Sequence, residues 1–114
     1  MKISHNLYSK LAFQLAEQNL GKTGVNPSVG CVVVKNNSVI SSAVTSLNGR
    51  PHAEFNALNR NLNFKDTQMY ITLEPCTHYG LTPPCTSIIK NKKIKKIYYS
   101  FHDADERTYK KAKK

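Results

Sequence analysis

Leu7, Leu11 and Leu15 recur at helical spacing near the start of the chain, with Ala12, Ala16 and Leu20 beside them. That pattern predicts an amphipathic first helix. Ser4 or Asn6 supplies a candidate N-cap, and Gly21 supplies the stop. Asn26-Pro27-Ser28 reads as a turn. Cys31 to Val34 is a β-branched run and predicts a buried strand. Lys35-Asn36-Asn37-Ser38 then turns the chain into a second strand near Val39 to Val44, making a hairpin. Asn48-Gly49-Arg50-Pro51 breaks the pattern, and His52 to Arg60 reads as a helix. Met69 to Leu73 is a third strand. Pro83 or Pro84 suits the first turn of another helix, running to about Lys92. Ile94 to Ser100 is a fourth strand. The order α-β-β-α-β-α-β implies an antiparallel hairpin followed by parallel pairing of the later strands. The expected fold class is α/β, a three-layer α/β/α sandwich with a mixed sheet.

With 114 residues the chain is expected to form one domain, small enough to gain from oligomerisation. Its hydrophobic content of 39% is ordinary, and no apolar run reaches membrane-spanning length. Met1 to Asn6 lacks the apolar core of a signal peptide, so a cytoplasmic protein is expected. Three cysteines do not make a disulfide framework. The net charge of +10 raises the question of nucleic acid. Much of the excess lies in Lys90 to Lys96 and Lys110 to Lys114, which read as solvated helix ends or tails. Nucleic acid is therefore not the expected partner. The same field would steer a small phosphorylated substrate.

The chemistry is concentrated in His52-Ala53-Glu54 and in the stretch from Glu74-Pro75-Cys76 to Pro83-Pro84-Cys85. One His and two Cys can hold Zn²⁺ and leave a fourth position open, the mark of a catalytic site. A Glu two residues after the His matches the signature of zinc nucleobase deaminases. His52 and Glu54 follow a Gly-Arg-Pro break and Cys85 follows two prolines, so each is expected at a helix start, where a thiolate is favoured. Cys76 falls in the loop leaving the third strand. Ligands gather at the carboxyl ends of strands in such sheets. Two thiolates cancel the charge of the metal, so a nearby base is needed to take a proton from water, and Glu54 fits that role. Residues two apart on an ideal helix point to nearly opposite sides, so spacing alone does not bring His52 and Glu54 together. Taken singly, a His at a helix start is more often a cap, and a Cys more often core. Cys31, inside a Val-rich strand, is read as core. His5 and His102 carry no motif and are read as surface residues. His78 lies between the two cysteines and is either a fourth ligand or, preferably, a residue facing the substrate.

These segments resemble the deaminase domain of the bifunctional riboflavin-biosynthesis deaminase/reductase family, within the cytidine-deaminase-like superfamily. The general superfamily signature is Cys-x-x-Cys. Here eight residues separate Cys76 from Cys85, a form similar to that of the riboflavin branch. Asn26-Pro27-Ser28-Val29-Gly30-Cys31-Val32, Gly49-Arg50-Pro51-His52-Ala53-Glu54 and Thr72-Leu73-Glu74-Pro75-Cys76 also match that branch. The resemblance spans most of residues 7 to 100. It implies hydrolytic deamination of 2,5-diamino-6-ribosylamino-4(3H)-pyrimidinone 5′-phosphate, with release of ammonia. It implies zinc on His52, Cys76 and Cys85, proton shuttling by Glu54, and substrate contacts from Asn26 and His78. It further implies a homo-oligomer.

The chain departs from the family in three ways. Relatives usually carry Lys or Arg where Leu81 stands, and many carry His where Thr45 stands. Arg50 is expected to supply the phosphate-binding cation in their place. The chain also has room after Asp103 for little more than one Lys-rich helix, and the NADPH-dependent reductase domain is absent, so a C-terminally short deaminase domain over residues 1–114 and a separate reductase are expected. Two other readings compete. One is deamination of another nucleoside, nucleotide or RNA base, which Leu81 favours and the cysteine spacing opposes. The other is a zinc-containing binding module without turnover.

Overall fold

The computed structural model describes residues 5–24, 27–72 and 85–99, Cys85 by its backbone alone. The elements run α1 (His5–Gln18), β1 (Gly30–Lys35), β2 (Ser38–Val44), α2 (Ala53–Leu58), β3 (Gln68–Ile71), α3 (Cys85–Asn91) and β4 (Lys96–Tyr99), in the predicted order. A single 3-10 turn at Leu47–Gly49 sits between β2 and α2. Among the described residues no helix is long and apolar enough to cross a membrane.

The sheet order is β2-β1-β3-β4. β1 is antiparallel to both neighbours, and β3 and β4 are parallel. The Asn36 and Asn37 pair closes the β1–β2 hairpin with positive φ at both positions. That is the backbone of a two-residue primed turn, which Asn tolerates better than most residues. The Tyr8 hydroxyl donates to the Asn37 carbonyl at 3.0 Å, tying α1 to this turn. β1 is the most buried strand. Its even and odd side chains both meet helices, which is why it reads as a continuous apolar run rather than an alternation. Val32 and Val34 pack with Tyr8, Ala12 and Tyr70 beneath α1. Cys31 and Val33 pack with Ala53, Ala57, Leu58, Met69, Ile71 and Ile89 beneath α2 and α3. Helices thus cover both faces, giving the three-layer α/β/α arrangement.

The first helix corrects the expected cap. It already begins at His5, so Asn6 is inside the helix rather than its cap, and Ser4 lies outside the described residues. The buried stripe is Tyr8, Ala12 and Ala16, whereas Leu7 and Leu20 are exposed and Leu11 and Leu15 are half-buried. Gly30 supplies the reason. A Cβ placed on it would stand 1.7 Å from the Ala12 carbonyl oxygen. The helix backbone rests directly on the strand there, and only small side chains fit between them. His5 is exposed as expected, although its Nδ1 bonds the Tyr70 hydroxyl at 2.5 Å. The basic run from Lys90 closes α3 and turns into β4, with Lys93, Lys95 and Lys96 exposed. His102 and Lys110 to Lys114 lie outside the described residues.

The strand directions place one edge of the sheet. The carboxyl ends of β2, β3 and β4 and the amino end of β1 all lie on it. The connection into α2 starts at this edge, and α3 follows β3 from it.

Candidate active site

The connection from β2 to α2 is folded back on itself. Ser46 N–H donates to the Pro51 carbonyl at 3.1 Å, and Asn48 N–H donates to the Lys22 carbonyl at 2.9 Å. Gly49 is buried with φ +93°, a conformation that costs a side-chain-bearing residue more. Asn56, on α2, reaches back with one amide group. Its Nδ2 lies 3.0 Å from the Val44 carbonyl, 2.9 Å from Ser46 Oγ and 3.3 Å from the Pro51 carbonyl. One side chain therefore joins the end of β2 to the residue preceding His52. Sequence reading missed Asn56, because a mid-helix Asn looks like any solvated polar residue until its partners are placed.

His52 stands immediately before α2, in extended conformation, and its ring makes no capping hydrogen bond to the helix. The commonest structural role for a His at this point is thus not the one it fills. Its position also resolves the objection from helical spacing. His52 lies outside the helix, so the angular rule for residues two apart does not govern it and Glu54. Glu54 lies in the first turn of α2, where the exposed N–H groups favour a negative charge. It is 4% exposed, and its Oε1 is wholly withdrawn from water. A carboxylate is costly to bury, so this residue is not a solvated helix-start acid. Behind it in the core is Cys31, with no exposure at all. Burial pushes the Cys31 thiol well above its ordinary range, the Glu54 carboxylate pushes it further, and Arg60 acts against both. Cys31 is thus a protonated core residue, as its Val-rich surroundings predict.

Cys85 begins α3 as expected. α2 and α3 share one apolar cluster through Ala53, Ala57, Leu58 and Ile89, so the helices that begin at Ala53 and Cys85 are packed side by side. Arg50 is exposed two residues before His52. Asn26, Cys76, His78 and Leu81 lie outside the described residues. Among the described residues no three ligand-type side chains gather. The donor chemistry nevertheless fits zinc. His52 is half-buried, is not engaged in capping, and adjoins a buried carboxylate; the other donors proposed are thiols on the segment that ends at Cys85.

Thr45 is 1% exposed. Its hydroxyl bonds the Val29 backbone, so it does not face a substrate. A separate hollow of about 250 Å³ opens at the same edge on the α1 side, lined by Phe13, Ala16, Glu17, Leu20, Pro27, Ser28 and Thr72, and it includes neither His52 nor Glu54.

Comparison with known proteins gives a consistent picture. Residues 2–101 match the cytidine and deoxycytidylate deaminase zinc-binding region. A riboflavin biosynthesis protein RibD from Aquifex aeolicus is 45% identical over 91 residues, which are 79% of this chain and 26% of that protein. A diaminohydroxyphosphoribosylamino-pyrimidine deaminase from Buchnera aphidicola is 40% identical over 97 residues, covering 84% of this chain and 66% of that one. Among solved structures, Acinetobacter baumannii RibD superposes with a TM-score of 0.86 at 36% identity, covering 92% of this chain and 30% of that one. The chain thus spans about a quarter of the RibD proteins it matches.

Proposed function

Because the chain belongs to the cytidine and deoxycytidylate deaminase family and carries its zinc-binding region, we propose that it deaminates the phosphorylated diaminopyrimidine of riboflavin biosynthesis. The substrate is 2,5-diamino-6-ribosylamino-4(3H)-pyrimidinone 5′-phosphate. The observation that carries this reading is the buried Glu54 in the first turn of α2, two residues after a His that does not cap the helix. Relatives named for this pathway, at 40 to 45% identity, support the substrate.

His52, Cys76 and Cys85 would hold the zinc, which supplies Lewis-acid activation of a water molecule. Glu54 would accept a proton from the attacking water at its carboxylate. It delivers the proton to a ring nitrogen of the pyrimidine, which makes the carbon bearing the 2-amino group more electrophilic. The water oxygen bonds to that carbon, and the proton of the new hydroxyl passes through the same carboxylate to the departing amine, so that the C–N bond breaks with loss of ammonia rather than an amide anion and a carbonyl remains. Withdrawal of Glu54 from bulk water suits this shuttle, since its proton is exchanged with the substrate rather than with solvent. Asn26 and His78 hold the pyrimidine, and Arg50 meets the 5′-phosphate. Arg50 is exposed at the rim, where a charged group can approach it.

The same reading makes residues 1–114 a single deaminase domain acting in the cytoplasm as a homo-oligomer, its product passing to a reductase. Among the described residues β4 is the outer strand beside β3, with Tyr99 39% exposed.

The test is ammonia release from the pyrimidinone ribosylamine phosphate by zinc-loaded protein, with Glu54→Gln as the blank. Turnover that disappears in the variant supports the proposal. Turnover of cytidine, a deoxynucleotide or an RNA base in its place would overturn the substrate, and zinc binding without any turnover would overturn the enzyme.

A further inference from the structure

At the amino end of β1 the sheet is completed by side chains. The register of β1 with β2 pairs Gly30 with Val44, and its register with β3 pairs Cys31 with Ile71. One step further, Val29 faces Thr45 and Gly30 faces Thr72. Half of each pair is ordinary ladder: Thr45 N–H donates to the Val29 carbonyl at 2.9 Å, and Thr72 N–H donates to the Gly30 carbonyl at 3.1 Å. The other half is not. A regular antiparallel pair would send each return bond to a backbone carbonyl. Here Val29 N–H donates to the Thr45 hydroxyl at 2.9 Å, and Gly30 N–H donates to the Thr72 hydroxyl at 3.2 Å. The Thr45 carbonyl is released from the ladder and accepts from Asn19 Nδ2 at 2.8 Å.

The same substitution thus occurs on both flanks of one strand end. β1 thereby stays bonded to Thr45 and Thr72, one residue past the ends of β2 and β3. Both threonines are buried, at 1% and 5% exposure, so water does not replace a lost hydroxyl cheaply. The chain beyond Thr45 leads to Arg50 and His52. The chain beyond Thr72 leads to Glu74 and Cys76. The chain before Val29 is held by Ser28, whose hydroxyl donates to the Ala16 carbonyl at 2.6 Å, and it leads back to Asn26.

We propose that Thr45 and Thr72 are paired positioning residues, whose hydroxyls fix the backbone of Val29 and Gly30 between the end of β3 and the end of β2 that leads to His52. The proposal rests on the deaminase reading for its substrate, though not for its bonding. It also accounts for Thr45 at a position read from sequence as a missing phosphate contact: its work is done inward.

The test compares Thr45→Val and Thr72→Val with the corresponding serine variants in the zinc-loaded full chain. KM and kcat for the pyrimidinone ribosylamine phosphate, zinc content, and amide exchange at Val29 and Gly30 are measured together. Each valine variant is expected to raise KM about five- to tenfold, the effect of one unreplaced buried hydrogen bond. kcat falls less than KM rises, and zinc content is kept. Exchange accelerates at Val29 in Thr45→Val and at Gly30 in Thr72→Val, and serine reverses both effects. Where a valine variant does not fold, alanine replaces it in the same comparison. A lower melting temperature with unchanged KM would overturn the proposal, because the threonines would then be structural only. Serine variants as impaired as valine would also overturn it, since the methyl rather than the hydroxyl would matter. Wild-type protein without turnover counts against the deaminase reading alone, whereas unchanged exchange at Val29 and Gly30 in the valine variants defeats the proposal whatever the turnover.

Discussion

Replacing Gly30 with alanine tests the contact on which the α1 layer depends. The new Cβ would lie 1.7 Å from the Ala12 carbonyl oxygen, 2.8 Å from its carbon and 3.0 Å from the Ala16 nitrogen. All three are backbone atoms of a helix, so no side-chain rotation relieves the clash. To restore the 3.0 Å that real Cβ atoms respect, α1 must retreat by about 1.3 Å along that direction. A gap of that order forfeits roughly half of each dispersion contact across the interface, here those of Ala12 and Tyr8 with Val32, Val34 and Tyr70. Overpacking of a closed core costs about 1–3 kcal/mol. With the loosened α1 contacts added, we expect about 3–4 kcal/mol, roughly 13–17 °C in melting temperature for a domain of this size. Urea unfolding of zinc-saturated protein measures it through the midpoint, with the m-value as a check on cooperativity. Ala12→Gly in the Gly30→Ala background should give no rescue, because the obstructing atoms are not in the Ala12 side chain. A Gly30→Ala protein within about 1 kcal/mol of wild type would refute the close approach of helix and strand.

Glu54→Gln should lower kcat by about 10²–10⁴-fold, the usual worth of a positioned acid–base group, while zinc content by elemental analysis stays at the wild-type level. Asn56→Ala removes the amide that bonds Val44, Ser46 and Pro51, and should cost about 1–3 kcal/mol in chemical denaturation and weaken zinc retention against a chelator. Arg50→Gln should raise KM for the phosphorylated substrate and leave a dephosphorylated analogue unaffected; an equal effect on both would remove Arg50 from phosphate recognition. Cys31 should resist thiol reagents in the folded protein above pH 9 and react once the chain is unfolded. Burial and the Glu54 charge raise the thiol in the folded state, so the contribution of its neutral form to stability is complete below the ordinary thiol value and declines as pH rises above about 8.5. Denaturation midpoints measured from pH 7 to 10 check the sign.

The proposed chemistry was legible early because zinc deamination would demand residue types, not shapes. His52-Ala53-Glu54 and the two cysteines are identifiable from letters and punctuation, and Pro51, Pro83 and Pro84 mark where helices can start. The core of β1 was equally plain, since a strand covered on both faces has no polar positions to confuse the pattern. The buried face of α1 was not legible, because periodicity marks leucines and alanines alike. The sheet selects the smaller residues there, and Gly30 imposes that choice from a distant part of the chain. Asn56, Thr45 and Thr72 escaped for a related reason: a polar residue gives no sign in sequence that its partners are backbone groups many residues away.

The sequence by itself determined the order of elements and was enough to propose the zinc-ligand types and the acid–base residue, because each follows from local periodicity or from the chemistry of a single side chain. Tertiary structure alone decided that β1 runs antiparallel to both neighbours, and hence that its amino end shares an edge with the carboxyl ends of β2 and β3. It also decided that Glu54 is buried and that two threonine hydroxyls stand in for ladder carbonyls. Those features depend on which segments pack together, and burial and hydrogen bonding are properties of the pair rather than of either residue.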